Sequence, residues 1–511
     1  MRTARYLIAA LTAALLLPGC SAPNGSHDAT AASGTDAGTW QFGKIAFKPC
    51  SLSSPVSPQS IDGRCATLAV PEDPAKPGGR KITLNLAWLP SNARGEPAAD
   101  PVFFLAGGPG QAATEHAATV SNGLREVRKR RDIVLVDQRG TGTLSTLACK
   151  GNDGKPIAFD ETRIADTATV ADLAQRCAAA LQGKADPRLY TTTEAITDLE
   201  AVRAALGVEQ VNLVGVSYGT RVAQQYATRY PSHTRTMLLD GIAPNDLVVG
   251  NEFARTFERA LRLQSANCHK VPACKARFPR DLRSQLTAVR QRLSAQPVEV
   301  DYRDPSTGVT KRDTLTGEGV LGLSHAFSYM PQMAALLPVV IDDAEQGRYA
   351  PLMALSQLVT GSMEGQMTRG MQWSVLCAED ADRARPDPAD ADTVIGADMS
   401  TMFFAACKAW PTGKRPSGFN TPIRSPVPAL LMSGEIDPVT PPEYGDRVLK
   451  GLPNGRHFVL AGQGHNVLGT GCMPKLIGQF IETANAKALD GKCLDTIGYV
   501  PPFTSFNGWE P

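Results

Sequence analysis

Val211-Asn-Leu-Val-Gly215-Val-Ser217-Tyr-Gly219-Thr-Arg-Val-Ala223 is the stretch on which the reading of this chain turns. A short apolar run rich in β-branched residues reads as a strand buried on both faces, and it passes through glycine-x-serine-x-glycine straight into a helical pattern. So tight a strand-to-helix turn strains the serine and exposes its hydroxyl, and the flanking glycines remove side chains that would clash. The amino terminus of the following helix then lies beneath any negative charge that develops there. Ser217 is therefore the candidate nucleophile, and the backbone N–H of Tyr218 a candidate oxyanion donor.

Outward from this turn, further apolar runs bounded by Gly, Pro or Asp occur at 84–89, 102–105, 133–136, 236–239, 429–432 and 457–460. Helical patterns at 193–206 and 220–230 flank the central run. This alternation predicts an α/β fold with a mostly parallel sheet. The interval 246–415 breaks the rhythm with helix-forming stretches such as 253–265 and 280–293, and it is expected to be an inserted, mainly helical cap. The core is then discontinuous, 41–245 plus 416–511. No internal repeat is visible.

A serine hydroxyl is a weak nucleophile at neutral pH and needs a base, itself oriented by an acid that precedes it in the chain after the serine. Ala429-Leu-Leu-Met-Ser-Gly-Glu-Ile-Asp437 reads as a strand whose following loop presents an aspartate, and His457-Phe-Val-Leu-Ala-Gly-Gln-Gly-His465 repeats the pattern with a histidine. Of the seven histidines, His27 lies near the amino terminus, His116 and His233 precede the acid, His269 and His325 fall in the cap, and His457 opens a strand. Elimination leaves His465. Asp240, which also ends a strand, is the rival acid to Asp437. The glycines of Phe103-Phe-Leu-Ala-Gly107-Gly108-Pro-Gly110 let backbone approach a substrate closely, so Gly107 and Gly108 are candidates for the second oxyanion donor. No Walker-type phosphate loop is present, and neither cofactor nor metal is called for.

With 52 basic against 50 acidic residues the formal charge is only +2, which excludes the strong positive field of a nucleic-acid binder. At the amino terminus, Arg2 and Arg5 precede an apolar run at 7–17 that is short for a membrane span, a signal-peptide pattern. Leu17-Pro18-Gly19-Cys20 resembles a bacterial lipobox, with Pro18 as a departure, which implies lipidation of Cys20 after cleavage; the other reading is an ordinary signal peptide cut a few residues further on and a secreted protein. Residues 1–20 are thus expected to be a signal peptide of lipoprotein type and 21–40 a flexible tether, with membrane contact only through that lipid. Removing Cys20 from eleven cysteines leaves ten, an even number suited to an oxidising compartment. Pairing of sequence neighbours gives Cys50 with Cys65, Cys149 with Cys177, Cys268 with Cys274, Cys377 with Cys407, and Cys472 with Cys493, although spacing leaves other connectivities open. None of these pairs has the spacing of a zinc site.

Gly107-Gly-Pro-Gly110, Val136-Asp-Gln-Arg-Gly140-Thr-Gly142, Gly215-Val-Ser-Tyr-Gly219, Gly434-Glu-Ile-Asp-Pro-Val-Thr-Pro441 and Gly464-His465 together resemble the serine peptidase family containing prolyl aminopeptidases and tripeptidyl aminopeptidases. The resemblance spans most of the catalytic core. It implies an α/β-hydrolase fold, a helical cap, and removal of residues or short peptides from a free amino terminus. Family caps bind the substrate's α-amino group through carboxylates, which points to Glu379 and Asp380 in Cys377-Ala-Glu-Asp380. Arg139 serves loop scaffolding or substrate contact. Ala106 stands where prolyl enzymes have histidine, which favours the tripeptidyl type. The expected partner is a peptide or a small acyl substrate, and nothing sets an oligomeric state. Two other readings remain: an esterase or lipase using the same triad, and an envelope lipoprotein that keeps the scaffold only for binding.

Overall fold

The computed structural model describes residues 38–54, 57–151, 153–157, 167–363, 367–397 and 399–507. The expected signal peptide, Cys20 and nearly all of the tether lie outside them. The strands are β1 (Trp40–Phe42), β2 (Ile45–Ser54), β3 (Ser57–Pro71), β4 (Lys81–Leu89), β5 (Val102–Leu105), β6 (Ile133–Val136), β7 (Val211–Val216), β8 (Thr234–Asp240), β9 (Val298–Arg303), β10 (Thr310–Leu315), β11 (Ala429–Gly434) and β12 (Gly455–Leu460). Ten of them form one sheet in the order β1-β2-β3-β4-β6-β5-β7-β8-β11-β12. From β6 to β12 all neighbours are parallel, whereas β1 to β4 and the β4–β6 pair are antiparallel.

Every residue of β5, β6, β7 and β11 is buried, because helices cover both faces of the sheet. The alternation of strand side chains divides the interior into two layers. Phe103, Leu105, Leu213, Leu239 and Leu431 join the cluster on one face, and Val102, Phe104, Val214, Leu238 and Leu430 join that on the other. Register aligns the carboxyl ends: Leu105 faces Gly215, Val216 faces Asp240, Met432 faces Asp240, and Gly434 faces Leu460. The loops carrying Gly107, Ser217, Asp437 and His465 therefore leave the sheet along one rim. In open parallel sheets, ligands bind in the crevice outside such ends.

Between β8 and β11 the helices Phe253–Lys270, Leu282–Ala295, Gly317–Phe327 and Leu337–Glu345 pack around Phe257, Leu286, Leu293, Phe327 and Ile341, a core separate from that of the sheet. Asp281 and Thr316 cap two of these helices by accepting the N–H of Ser284 at 2.9 Å and of Gly319 at 3.0 Å. The cap differs from expectation in two ways. It contains a two-stranded hairpin, β9 with β10, whose largely exposed polar residues gave no apolar strand signal. The helix Arg369–Glu379 belongs with the sheet: Met371, Trp373 and Val375 are buried in its core cluster, and Trp373 meets Trp410 edge to face at 5.2 Å.

All five neighbouring cysteine pairs are joined, with sequence separations of 15, 28, 6, 30 and 21. No helix among the described residues is long and apolar enough to cross a membrane.

Candidate active site

Ser217 sits between β7 and the helix Tyr218–Arg229 with φ 55° and ψ −124°. Positive φ is costly for a serine, so the surrounding structure must impose it. Its N–H donates to Asp240 O at 2.8 Å, tying the turn to the neighbouring strand end. A side chain at Gly215 would lie 2.4 Å from Gly219 O, so the two backbones close the turn as the motif predicted. The Tyr218 N–H, at the first helical position, has no intrahelical acceptor.

The Gly107–Gly110 loop lies against this turn: a Cβ on Gly107 would be 3.0 Å from Ser217 Cβ. Gly108 and Gly110 have φ of 109° and 114°, conformations that side chains disfavour. The loop is held from the other side by Thr368, whose N–H donates to Gly110 O at 2.9 Å.

Asp437 and His465 meet as the chain order required. Asp437 Oδ2 is 2.7 Å from His465 Nδ1, and the carboxylate is fully buried. Its Oδ1 accepts the N–H groups of Val439 at 2.9 Å and Thr440 at 2.8 Å, and Thr440 Oγ1 donates to Oδ2 at 2.8 Å. Burial penalises the charge of Asp437, but His465 and these donors outweigh it and hold the carboxyl below the ordinary range. Burial likewise works against a charged His465, yet the contact with Asp437 raises the imidazole above its ordinary value. Ser217 Oγ and His465 make no hydrogen bond with each other among the described contacts. Both meet the end of β8: the Ser217 N–H donates to Asp240 O, and a Cβ on the following Gly241 would be 2.9 Å from His465 Cε1.

Asp240, the rival acid, does different work. Its carboxylate accepts the N–H groups of Val467 and Leu468 at 2.8 to 3.0 Å, fixing the loop that carries His465, and burial pushes it up to about 7. Arg139 scaffolds: it binds Asp198 through two 2.7 Å contacts and donates to the carbonyls of Glu72 and Leu189.

Glu379 and Asp380 require a correction. Both are fully buried, and their charges are already engaged. Asp380 pairs with Arg221 at 2.9 Å and Arg383 at 2.6 Å, while Glu379 accepts the Thr192 N–H at 2.7 Å and hydroxyl at 3.0 Å and lies 3.7 Å from Arg221. Thr192 Oγ1 is in turn 2.6 Å from Tyr218 Oη, to which Gln138 also donates at 3.0 Å. These carboxylates brace the nucleophile helix from inside, each already hydrogen-bonded or ion-paired within the protein.

Sequence reasoning missed Thr440 and Tyr329. Thr440 was legible in principle, since Asp-Pro-Val-Thr is an Asx-type turn that folds its donors onto the aspartate. Tyr329 comes from the cap: its carbonyl accepts the His465 N–H at 2.8 Å and its ring stands edge to face with that imidazole at 5.3 Å. No local pattern announces such a contact.

A strained serine, a buried aspartate–histidine pair and a glycine loop on one rim of a parallel sheet are the arrangement of a serine hydrolase. The chain belongs to the alpha/beta hydrolase fold family, whose model matches residues 100–471. Among curated proteins it is 25% identical over 488 residues to the serine protease Hip1 of Mycobacterium tuberculosis, covering 88% of this chain and 91% of that one. It is 30% identical over 191 residues to a tripeptidyl aminopeptidase of Streptomyces lividans, 35% of each chain. Among solved structures, the proline iminopeptidase of Mycobacterium smegmatis matches with a TM-score of 0.40 and 14% identity, over 81% of this chain and 97% of that one.

Proposed function

We propose that this serine hydrolase is an exported exopeptidase releasing residues or short peptides from free amino termini. The observation that carries the chemistry is the 2.7 Å contact between buried Asp437 and His465 beside the strained Ser217 turn. Ser217 Oγ attacks the scissile carbonyl while His465 Nε2 takes its proton, and Asp437 holds the tautomer that leaves Nε2 free. The Tyr218 N–H and an N–H of the Gly107–Gly108 loop receive the oxyanion, and His465 then protonates the leaving amine. Water repeats the sequence on the acyl-enzyme. The likeness to a tripeptidyl aminopeptidase supports the exopeptidase reading, and the five disulfides support export from the reducing cytoplasm.

The test compares a free-amino tripeptidyl anilide, its acetylated twin and a short-chain nitrophenyl ester, each with wild type and Ser217→Ala. Cleavage of the free-amino anilide alone, lost in the variant, is the expected result. Ser217-dependent turnover of the ester without the anilides would keep the triad and overturn the peptidase. Equal cleavage of the acetylated peptide would overturn the amino-terminal requirement.

A further inference from the structure

Past one of its helices the cap reaches the loop that carries the catalytic histidine. Beyond the helix Gly317–Phe327, the chain runs through Ser328 and Tyr329 directly onto that loop. Tyr329 O accepts the His465 N–H at 2.8 Å, and it lies so close to the preceding residue that a Cβ on Gly464 would be 2.2 Å from it. The Tyr329 ring stands at 79° to the imidazole with centroids 5.3 Å apart, and His325 packs against it in turn at 5.4 Å and 83°. Phe257 closes the stack at 5.1 Å from His325. The imidazole is also approached by Asp437 and Thr440 at Nδ1, 2.7 and 3.1 Å away, and by the side-chain-free face of Gly241 at Cε1.

Hydrogen bonds at Nδ1 fix the tautomer of the imidazole and hold that edge of the ring. The Tyr329 ring packed perpendicular to it limits the tilt that a contact at one edge still permits. We infer that Tyr329 of the cap is a positioning residue for His465, so that the inserted cap contributes to the proton-transfer geometry. The inference rests on the reading of His465 as the general base. Displacements on the order of 1 Å in such a group cost about 100-fold in rate, so loss of the ring is felt in turnover.

The experiment measures kcat and KM on the peptidyl anilide for wild type, Tyr329→Phe, Tyr329→Ala and Ser217→Ala, with near-UV dichroism as the check on folding. Tyr329→Ala is expected to lower kcat about ten-fold or more with KM changed less than about three-fold, and Tyr329→Phe to restore it. Tyr329→Leu, which keeps bulk without a ring, carries the same test should the alanine variant lose its folded signal. A wild-type kcat in the ring-less variant, or an effect confined to KM, overturns the inference while inactivity of Ser217→Ala leaves the triad standing. Activity surviving in Ser217→Ala instead removes the reading on which the inference depends.

Discussion

Asp437 and Asp240 are two aspartates within one rim, and their donors separate their roles. Asp437 takes its partners from its own turn and keeps Oδ2 for His465, whereas Asp240 spends both oxygens on the amides of the histidine loop. Asp437→Asn is expected to lower kcat by about 10⁴-fold through the wrong imidazole tautomer. Asp240→Asn should lower it at least about 100-fold less, because it touches no reacting atom; parity of the two variants in steady-state assays would reverse the assignment. The raised imidazole sets a second expectation. A protonated His465 cannot accept the Ser217 proton, and its proton is held more tightly than the ordinary 6.5, so the acid limb of kcat/KM against pH falls above 6.5. A limb below about 6 would show that Asp437 does not charge-pair with it. At this scale the sequence was most legible for Ser217, Asp437 and His465, since each follows a recognisable strand in a fixed order. The amine-binding role that the family resemblance implied for Glu379 and Asp380 could not be checked in the sequence, because Arg221, 159 positions before Asp380, is invisible there as its partner.

Among the elements, β5 to β8 and β11, buried almost throughout, were readable as continuous apolar runs, and β4 and β12, partly exposed, stood out through shorter apolar stretches of the same kind. The segments β1 to β3 did not, because the antiparallel end of the sheet is half solvated and interleaves polar residues such as Lys48, Ser51 and Arg64. The cap hairpin escaped for the same reason. Between strands, Arg139 and Asp198 join the loop after β6 to the helix Thr192–Leu206 deep in the interior, with side-chain exposures of 0% and 6%. Arg139→Ala leaves Asp198 buried and unpaired and is expected to cost about 3 to 5 kcal/mol in urea unfolding. A loss under about 1 kcal/mol would mean that water or rearrangement satisfies the carboxylate.

Over the whole molecule, the disulfides secure both the sheet and the cap. Cys377–Cys407 closes a separation of 30 residues within the sheet's core layer, and by chain entropy the Cys377→Ser, Cys407→Ser double variant should lose about 3 to 4 kcal/mol. Unchanged stability in chemical denaturation would show that this layer is held by packing alone. The even count made full pairing legible and neighbour pairing one of the connectivities left open, whereas the folding of Arg369–Glu379 into the core was not legible, because a buried helix and a cap helix share the same apolar periodicity. All of these features serve one claim, that the rim of the sheet makes Ser217 nucleophilic. The most direct measurement treats the folded protein with a fluorophosphonate and maps the adduct by peptide mass. A single adduct on Ser217 is expected, absent in Ser217→Ala and formed far more slowly in His465→Gln. An adduct on another residue, or none on native protein, would contradict it.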